Sequence, residues 1–173
     1  MRLDHIAYRV ADRHKTVQFF QEAFDYVVAD EFQIDFDDGS KAQCFALQPP
    51  EVRRMSGNMH WYGNYHLPPD IFVSDGTPDS IVGKWVASRG GVGGVHHFAY
   101  EVESVENTME EWKEKGYAEF TTEEPLKCPD LIQCFTKPSE LTGVIYEFIK
   151  RGANSKGFCK DNVKDLMEST EGI

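Results

Sequence analysis

The sequence predicts an α+β fold: two tandem βαβββ modules forming one cupped mixed sheet around a metal site, with a short C-terminal helix. Three observations carry this. An octapeptide is repeated, an amphipathic helical pattern follows each copy in the same register, and short strand-like runs follow each helix.

The repeat pairs Leu3–Val10 (LDHIAYRV) with Val95–Val102 (VHHFAYEV). His5/His97, Ala7/Ala99, Tyr8/Tyr100 and Val10/Val102 are identical, and Leu3/Val95 and Ile6/Phe98 are conservative. Both segments alternate and are rich in aromatic or β-branched residues, so both read as strands. Val17, Phe20, Ala23 and Phe24 then make one apolar helical stripe, and Val105, Met109 and Trp112 make the other. Phe20 stands to Trp112 at the spacing that separates His5 from His97, so the register holds through the helix. Strand-like runs follow at Tyr26–Ala29, Ala42–Leu47 and Asp70–Val73, and again at Ala118–Thr121, Leu131–Lys137 and Gly143–Lys150. A further helix is expected over Ser80–Ser88, a glycine hinge at Gly90–Gly94 and a closing helix over about Asp161–Ser169. The 49–69 stretch interrupts the first module as a long loop of the kind that often serves function. The expected organisation is one domain over 1–173, with modules at about 1–89 and 95–150 and a lid segment at 151–173.

The formal charge of −11 argues against nucleic acid and anionic membranes as partners. It does not forbid an anionic substrate, because a bound cation would dominate the local field. Cys44, Cys128, Cys134 and Cys159 form no C-x-x-C pair and read as free thiols of a reducing compartment. The first residues lack a signal-like apolar run, and no stretch approaches membrane-spanning length, so the expectation is cytoplasmic.

Glu147 lies in GVIYEFIK, apolar on both sides, where a lone carboxylate would be costly to bury. A metal ion removes that cost. A single strand histidine is most often a core or surface residue, but His5 and His97 occupy matched positions of matched strands. Two histidines and a carboxylate with open positions form the facial triad of non-haem Fe(II) sites, and the set also suits Mn, Co or Zn. His96 should point to the opposite face from His97 unless the strand bulges. Aligning YEFI with PDIF sets Asp70 opposite Glu147, as a fourth ligand, a base or, preferably, a polar strand-start residue. His14 reads as an exposed helix residue. His60 and His66 read as loop residues first and as caps of the pocket second.

The paired H-[IF]-A-Y strands and the late glutamate resemble the vicinal oxygen chelate superfamily of glyoxalases, methylmalonyl-CoA epimerases and extradiol-type dioxygenases. The likeness covers nearly the whole chain. Within the superfamily, LIQCFTKP (131–138), VIYEFIKR (144–151), GGVHHFAYEV and the tail GFCKDNVKDLMEST are similar to segments of the catalytic half of 4-hydroxyphenylpyruvate dioxygenase. That resemblance implies Fe(II) held by His5, His97 and Glu147, Gln133 as a polar substrate contact, Phe135 as a pocket wall and Phe158 at the mouth. His96 stands where that family usually has Gln, and Val163 and Met167 where its lid helix usually has aromatic rings. Gln43 and Asp75 are the candidates for its small polar contacts. The implied activity is an Fe(II)-dependent dioxygenase acting on a small 2-oxo acid. The alternative is a metal-dependent epimerase or glyoxalase-type lyase, because DSIVGKWVASRGGVGGVHH is similar to methylmalonyl-CoA epimerases. A metal-free small-ligand-binding protein on the same fold is the third reading. A homodimer is compatible with all three.

Overall fold

A computed structural model describes residues 1–50, 68–153 and 157–173. The strands are β1 (Arg2–Val10), β2 (Val27–Asp35), β3 (Lys41–Gln48), β4 (Asp70–Gly76), β5 (Gly93–Glu101), β6 (Leu126–Cys128), β7 (Leu131–Phe135) and β8 (Ile145–Arg151). The helices are α1 (Arg13–Phe24), α2 (Ile81–Ser88), α3 (Val105–Glu114) and α4 (Lys160–Glu168). All eight strands form one curled sheet in the order β2-β3-β4-β1-β5-β8-β7-β6. The repeated strands β1 and β5 lie antiparallel at its centre, and each has its own module's last strand, β4 or β8, parallel on its outer side. The expected βαβββ pairing about a pseudo-twofold axis is therefore realised.

Alternation sorts the two faces. On the convex face Phe45, Leu47 and Val73 pack with Val17 of α1, while Val102, Cys134 and Phe148 pack with Val105 and Met109 of α3. On the concave face Ala7, Phe32, Ala42 and Phe72 meet Trp85 and Val86 of α2 and Val163 and Met167 of α4. Three helix starts are capped by side chains expected there: Asp12 accepts from Lys15 N, Ser80 from Gly83 N and Ser104 from Asn107 N. At Gly93, with φ of 88°, an added Cβ would lie 2.0 Å from the Arg9 carbonyl oxygen, so only glycine lets β5 start against β1.

Several expectations are corrected. The second strand runs to Asp35 rather than ending at Ala29, because pairing with β3 continues past the polar residues of its exposed edge. The strand expected at Ala118–Thr121 reduces to one bridge, Phe120 to Thr136, and the edge strand is β6, beyond the acidic run that ends at Pro125. Gly93 and Gly94 belong to β5 rather than to a hinge. The cysteines are not all free: Cys128 and Cys159 form a disulfide that joins the end of β6 to the start of α4, while Cys44 and Cys134 are buried thiols. Only the return of the tail across the sheet brings these two together. Among the described residues no helix is long and apolar enough to cross a membrane. His60 and His66, with most of the 49–69 stretch, lie outside the described residues.

Candidate metal centre

His5, His97 and Glu147 meet on the concave face, 1%, 7% and 1% exposed. Glu147 Oε2 lies 3.2 Å from His5 Nε2 and 3.0 Å from His97 Nε2, and the two imidazole nitrogens are 3.3 Å apart. The donor atoms all fall within 4.8 Å of one another. Two imidazole nitrogens and a carboxylate oxygen converging in a buried space fit a divalent cation.

Without a cation the cluster balances itself by protonation. Burial works against the charge on His5, but Glu147 and Asp4 outweigh it and raise its pKa to about 9. Burial would raise Glu147, yet the charge of His5 and the hydrogen bonds from both histidines bring it down to about 2. His97 is lowered, because burial outweighs the pull of Glu147.

The inward turn of the neighbouring residues comes from two β-bulges. Between β1 and β5 the register slips once between Leu3 and His5 and again between Ala7 and Tyr8, where Ala7 faces His97 but Tyr8 faces Val95. Asp4 and His96 are the extra residues. Each therefore reaches the rear nitrogen of the histidine that follows it. Asp4 Oδ1 accepts from His5 Nδ1 at 2.8 Å, and His96 Nδ1 lies 2.8 Å from His97 Nδ1. Arg151 holds Asp4 from both of its oxygens, at 2.9 and 2.8 Å. Burial opposes the charge on Asp4, but the hydrogen bonds from His5 and Arg151 keep its carboxyl well below the usual range.

A small cavity of about 30 Å³ opens over the cluster. Gln133, Phe135, Phe158, Val163, Met167 and His96 all line it. Gln133 donates to Glu147 Oε1 at 2.6 Å and accepts from Asn162 Nδ2 at 3.1 Å, so its amide holds the carboxylate. The Phe135 ring centre is 4.6 Å from that of His97, and Phe158 sits 5.0 Å from His5 and 4.8 Å from Phe72.

Asp70 is not in the cluster. It pairs in register with His5, as Ile145 pairs with His97, while Phe72 opposite Ala7 is the counterpart of Glu147 opposite Ala99. The long loop before β4 obscured that two-residue difference in sequence. Gln43 and Asp75 also lie elsewhere: Gln43 donates to Gln33, and Asp75 binds Arg13 at 3.0 Å. His14 is exposed on α1. Sequence reasoning missed Asp4, Arg151 and Asn162. It also missed Arg9, which lines the cavity. Only Arg9 left a signal, since the alternation that turns His5 and Ala7 inward does the same for it.

No curated protein matches the chain. Solved structures share its fold. A hypothetical protein from Bacillus halodurans C-125 is 23% identical, covers 90% of this chain and 98% of its own, and has a TM-score of 0.64. Methylmalonyl-CoA epimerase from Mycobacterium tuberculosis is 16% identical, with 87% and 88% covered and a TM-score of 0.63. A mutant 4-hydroxymandelate synthase from Streptomyces coelicolor is 18% identical with a TM-score of 0.75; the match takes in 98% of this chain and 54% of that one, about half its length. The sequence pattern of one family matches residues 4–127, from the residue before the first histidine to the edge strand of the second module. The chain belongs to the glyoxalase/bleomycin resistance protein/dioxygenase superfamily.

Proposed function

We propose that this chain is a divalent-metal-dependent enzyme acting on a small oxo acid whose adjacent oxygens chelate the metal. The observation that carries the reading is the buried meeting of His5, His97 and Glu147 at one wall of an apolar cavity. A buried charged cluster is poor value as a stability device, so its retention at a cavity points to chemistry. His5, His97 and Glu147 would hold the cation; when bound, it supplies Lewis acidity toward a chelated carbonyl and, if it is Fe(II), activation of O₂. The protein's own share is orientation and exclusion of water. Gln133 and Asn162 fix Glu147, Asp4 fixes the tautomer of His5, and Phe135, Phe158 and Met167 wall off solvent.

For the reaction class, the similar structures support a non-redox proton transfer first, because several methylmalonyl-CoA epimerases are among them. In that chemistry Glu147 Oε1, turned toward Gln133, would carry the proton. One observation favours oxidation by a 2-oxo-acid dioxygenase instead. Among the described residues lining the cavity Glu147 is the only carboxylate, and as a ligand of the cation it would leave no separate base there.

The deciding experiment incubates Co(II)- and Fe(II)-loaded protein with a panel of 2-oxo acids and acyl thioesters. Solvent deuterium incorporation without oxygen uptake, lost in His97→Ala, is expected for the epimerase-type reading. Substrate-dependent oxygen uptake with Fe(II) alone selects the dioxygenase. Failure to bind any divalent metal sinks both and leaves a ligand-binding protein.

A further inference from the structure

Two buried donors in the cavity have no hydrogen-bond partner among the described residues: Arg9 Nη1 and His96 Nε2. Arg9 is 3% exposed. Its other terminal nitrogen donates to Thr170 Oγ1 at 3.0 Å, just beyond α4, and its guanidinium lies 5.9 Å from the centre of the Trp85 ring. No described carboxylate pairs with it. A guanidinium buried without a counter-ion is strongly destabilising, and here burial pushes the group down to about 9. It nevertheless faces the same cavity as the metal cluster, in a chain whose net charge is −11.

His96 supplies the second donor. When a cation takes His97 Nε2, the hydrogen of that ring sits on Nδ1 and is donated to His96 Nδ1, 2.8 Å away. The neutral His96 ring then carries its own hydrogen on Nε2, the atom left without a partner. Arg9 and His96 line the same cavity and both contact Trp85: the His96 ring centre lies 5.4 Å from that of the tryptophan, and Arg9 Cζ 5.9 Å.

We infer that Arg9 Nη1 and His96 Nε2 form a carboxylate subsite, so that the substrate is a dicarboxylic oxo acid: one end chelates the metal and a second carboxylate neutralises Arg9. The inference rests on the proposed metal centre. Two separate donors match the two oxygens of a carboxylate; a phosphate dianion, with three, would leave one without a donor. His5 and Arg9 lie on one face of β1, four residues and so roughly 13 Å apart at their Cα atoms. The long arginine side chain reaches into the cavity that the cluster also lines. The sequence counterpart of Arg9 in the repeat is Glu101, which binds Arg2 at 2.6 Å at the surface, so the subsite exists in only one half.

The test is calorimetric titration of Zn(II)-loaded protein, in which no turnover by O₂ occurs. The probes are 2-oxoglutarate, 2-oxopentanoate (a methyl group replaces the distal carboxylate) and phosphoenolpyruvate. The expected result is at least a roughly tenfold preference for 2-oxoglutarate over 2-oxopentanoate, abolished in Arg9→Met with 2-oxopentanoate affinity retained. Equal affinities in the wild-type protein, or a preference that survives Arg9→Met, overturn the subsite. Tighter binding of phosphoenolpyruvate than of 2-oxoglutarate overturns the carboxylate assignment. A melting curve with one cooperative transition, together with retained 2-oxopentanoate affinity, shows that Arg9→Met is folded with its metal site intact. Should no metal bind, glutarate is titrated into the metal-free protein. Binding that depends on Arg9 then keeps the subsite while the metal reading falls, and its absence removes both.

Discussion

The two halves of the cup use one backbone device for opposite electrostatic ends. In each central strand a bulge turns the residue before the histidine onto that histidine's rear nitrogen. In the first half this residue is Asp4, an anion clamped by Arg151, and after Glu147 it helps raise the pKa of His5. In the second half it is His96, which burial and the nearby charge of Arg9 keep neutral, its pKa far below the ordinary value. The first histidine is thus backed by negative charge, while the second, with a cation on its Nε2, would donate to His96 and leave a donor on an atom that faces the cavity. A duplicated fold delivers a symmetric ligand pair. On the proposals above, divergence of single residues beside that pair would make one side serve the metal and the other serve the ligand. The parallel outer strands diverge in the same way, with Glu147 in one and Phe72 at the matching place in the other, so the described residues bring together three candidate ligands rather than four.

The largest expected effect is removal of the shared carboxylate. Glu147→Ala should abolish metal binding and, by leaving the His5 charge buried without its partner, lower stability by about 3–5 kcal/mol; calorimetry and chemical unfolding measure both. Retained metal affinity would show that the histidines alone make the site and would break the asymmetry described above.

Next comes the stretch of chain linking Cys128 to Cys159, 31 residues apart. Cys159→Ser should destabilise the protein by about 3–4 kcal/mol by freeing that loop in the unfolded chain. The Tm of wild-type protein should fall by a similar amount on reduction and that of the variant should not; equal sensitivity to reductant would contradict the pairing.

The comparison itself is sharpened by matched substitutions. Asp4→Asn should weaken metal binding by about 10–100-fold through loss of the anionic support for His5. His96→Gln, which preserves a neutral partner for His97, should cost less than about tenfold. Equal losses would mean that the two rear partners are equivalent, against the charge argument.

The pH response is the subtlest. His5 has a folded pKa of about 9, above its ordinary value of 6.5. Its stabilisation of the metal-free protein is fully present below about pH 6.5 and is lost as pH rises through about 9. A metal must expel that proton, so affinity should climb by up to about tenfold per pH unit across this window, with proton release detectable in weakly buffered solution. Asp4→Asn should narrow the window from its upper end, because one of the two anions holding the proton is gone.

Much of the site was legible in the residues. The repeat fixed His5 and His97 on equivalent strands, and the apolar run around Glu147 marked a carboxylate that needed a cation. The Cys128–Cys159 disulfide was not legible, because it depends on the tail folding back over β6. Nor was the true counterpart of Glu147, since counting across the long loop before β4 cannot fix register while strand pairing can. The bulges were equally hidden: strict alternation sends Asp4 and His96 to the opposite face, and only the hydrogen-bond register shows the extra residue. Sequence by itself therefore determined the duplicated modules, the inward histidines and the late carboxylate, because periodicity and burial cost act locally along the chain. Tertiary structure alone decided which neighbours back those histidines and that no described carboxylate pairs with Arg9, because both depend on registers and contacts between segments far apart in the chain.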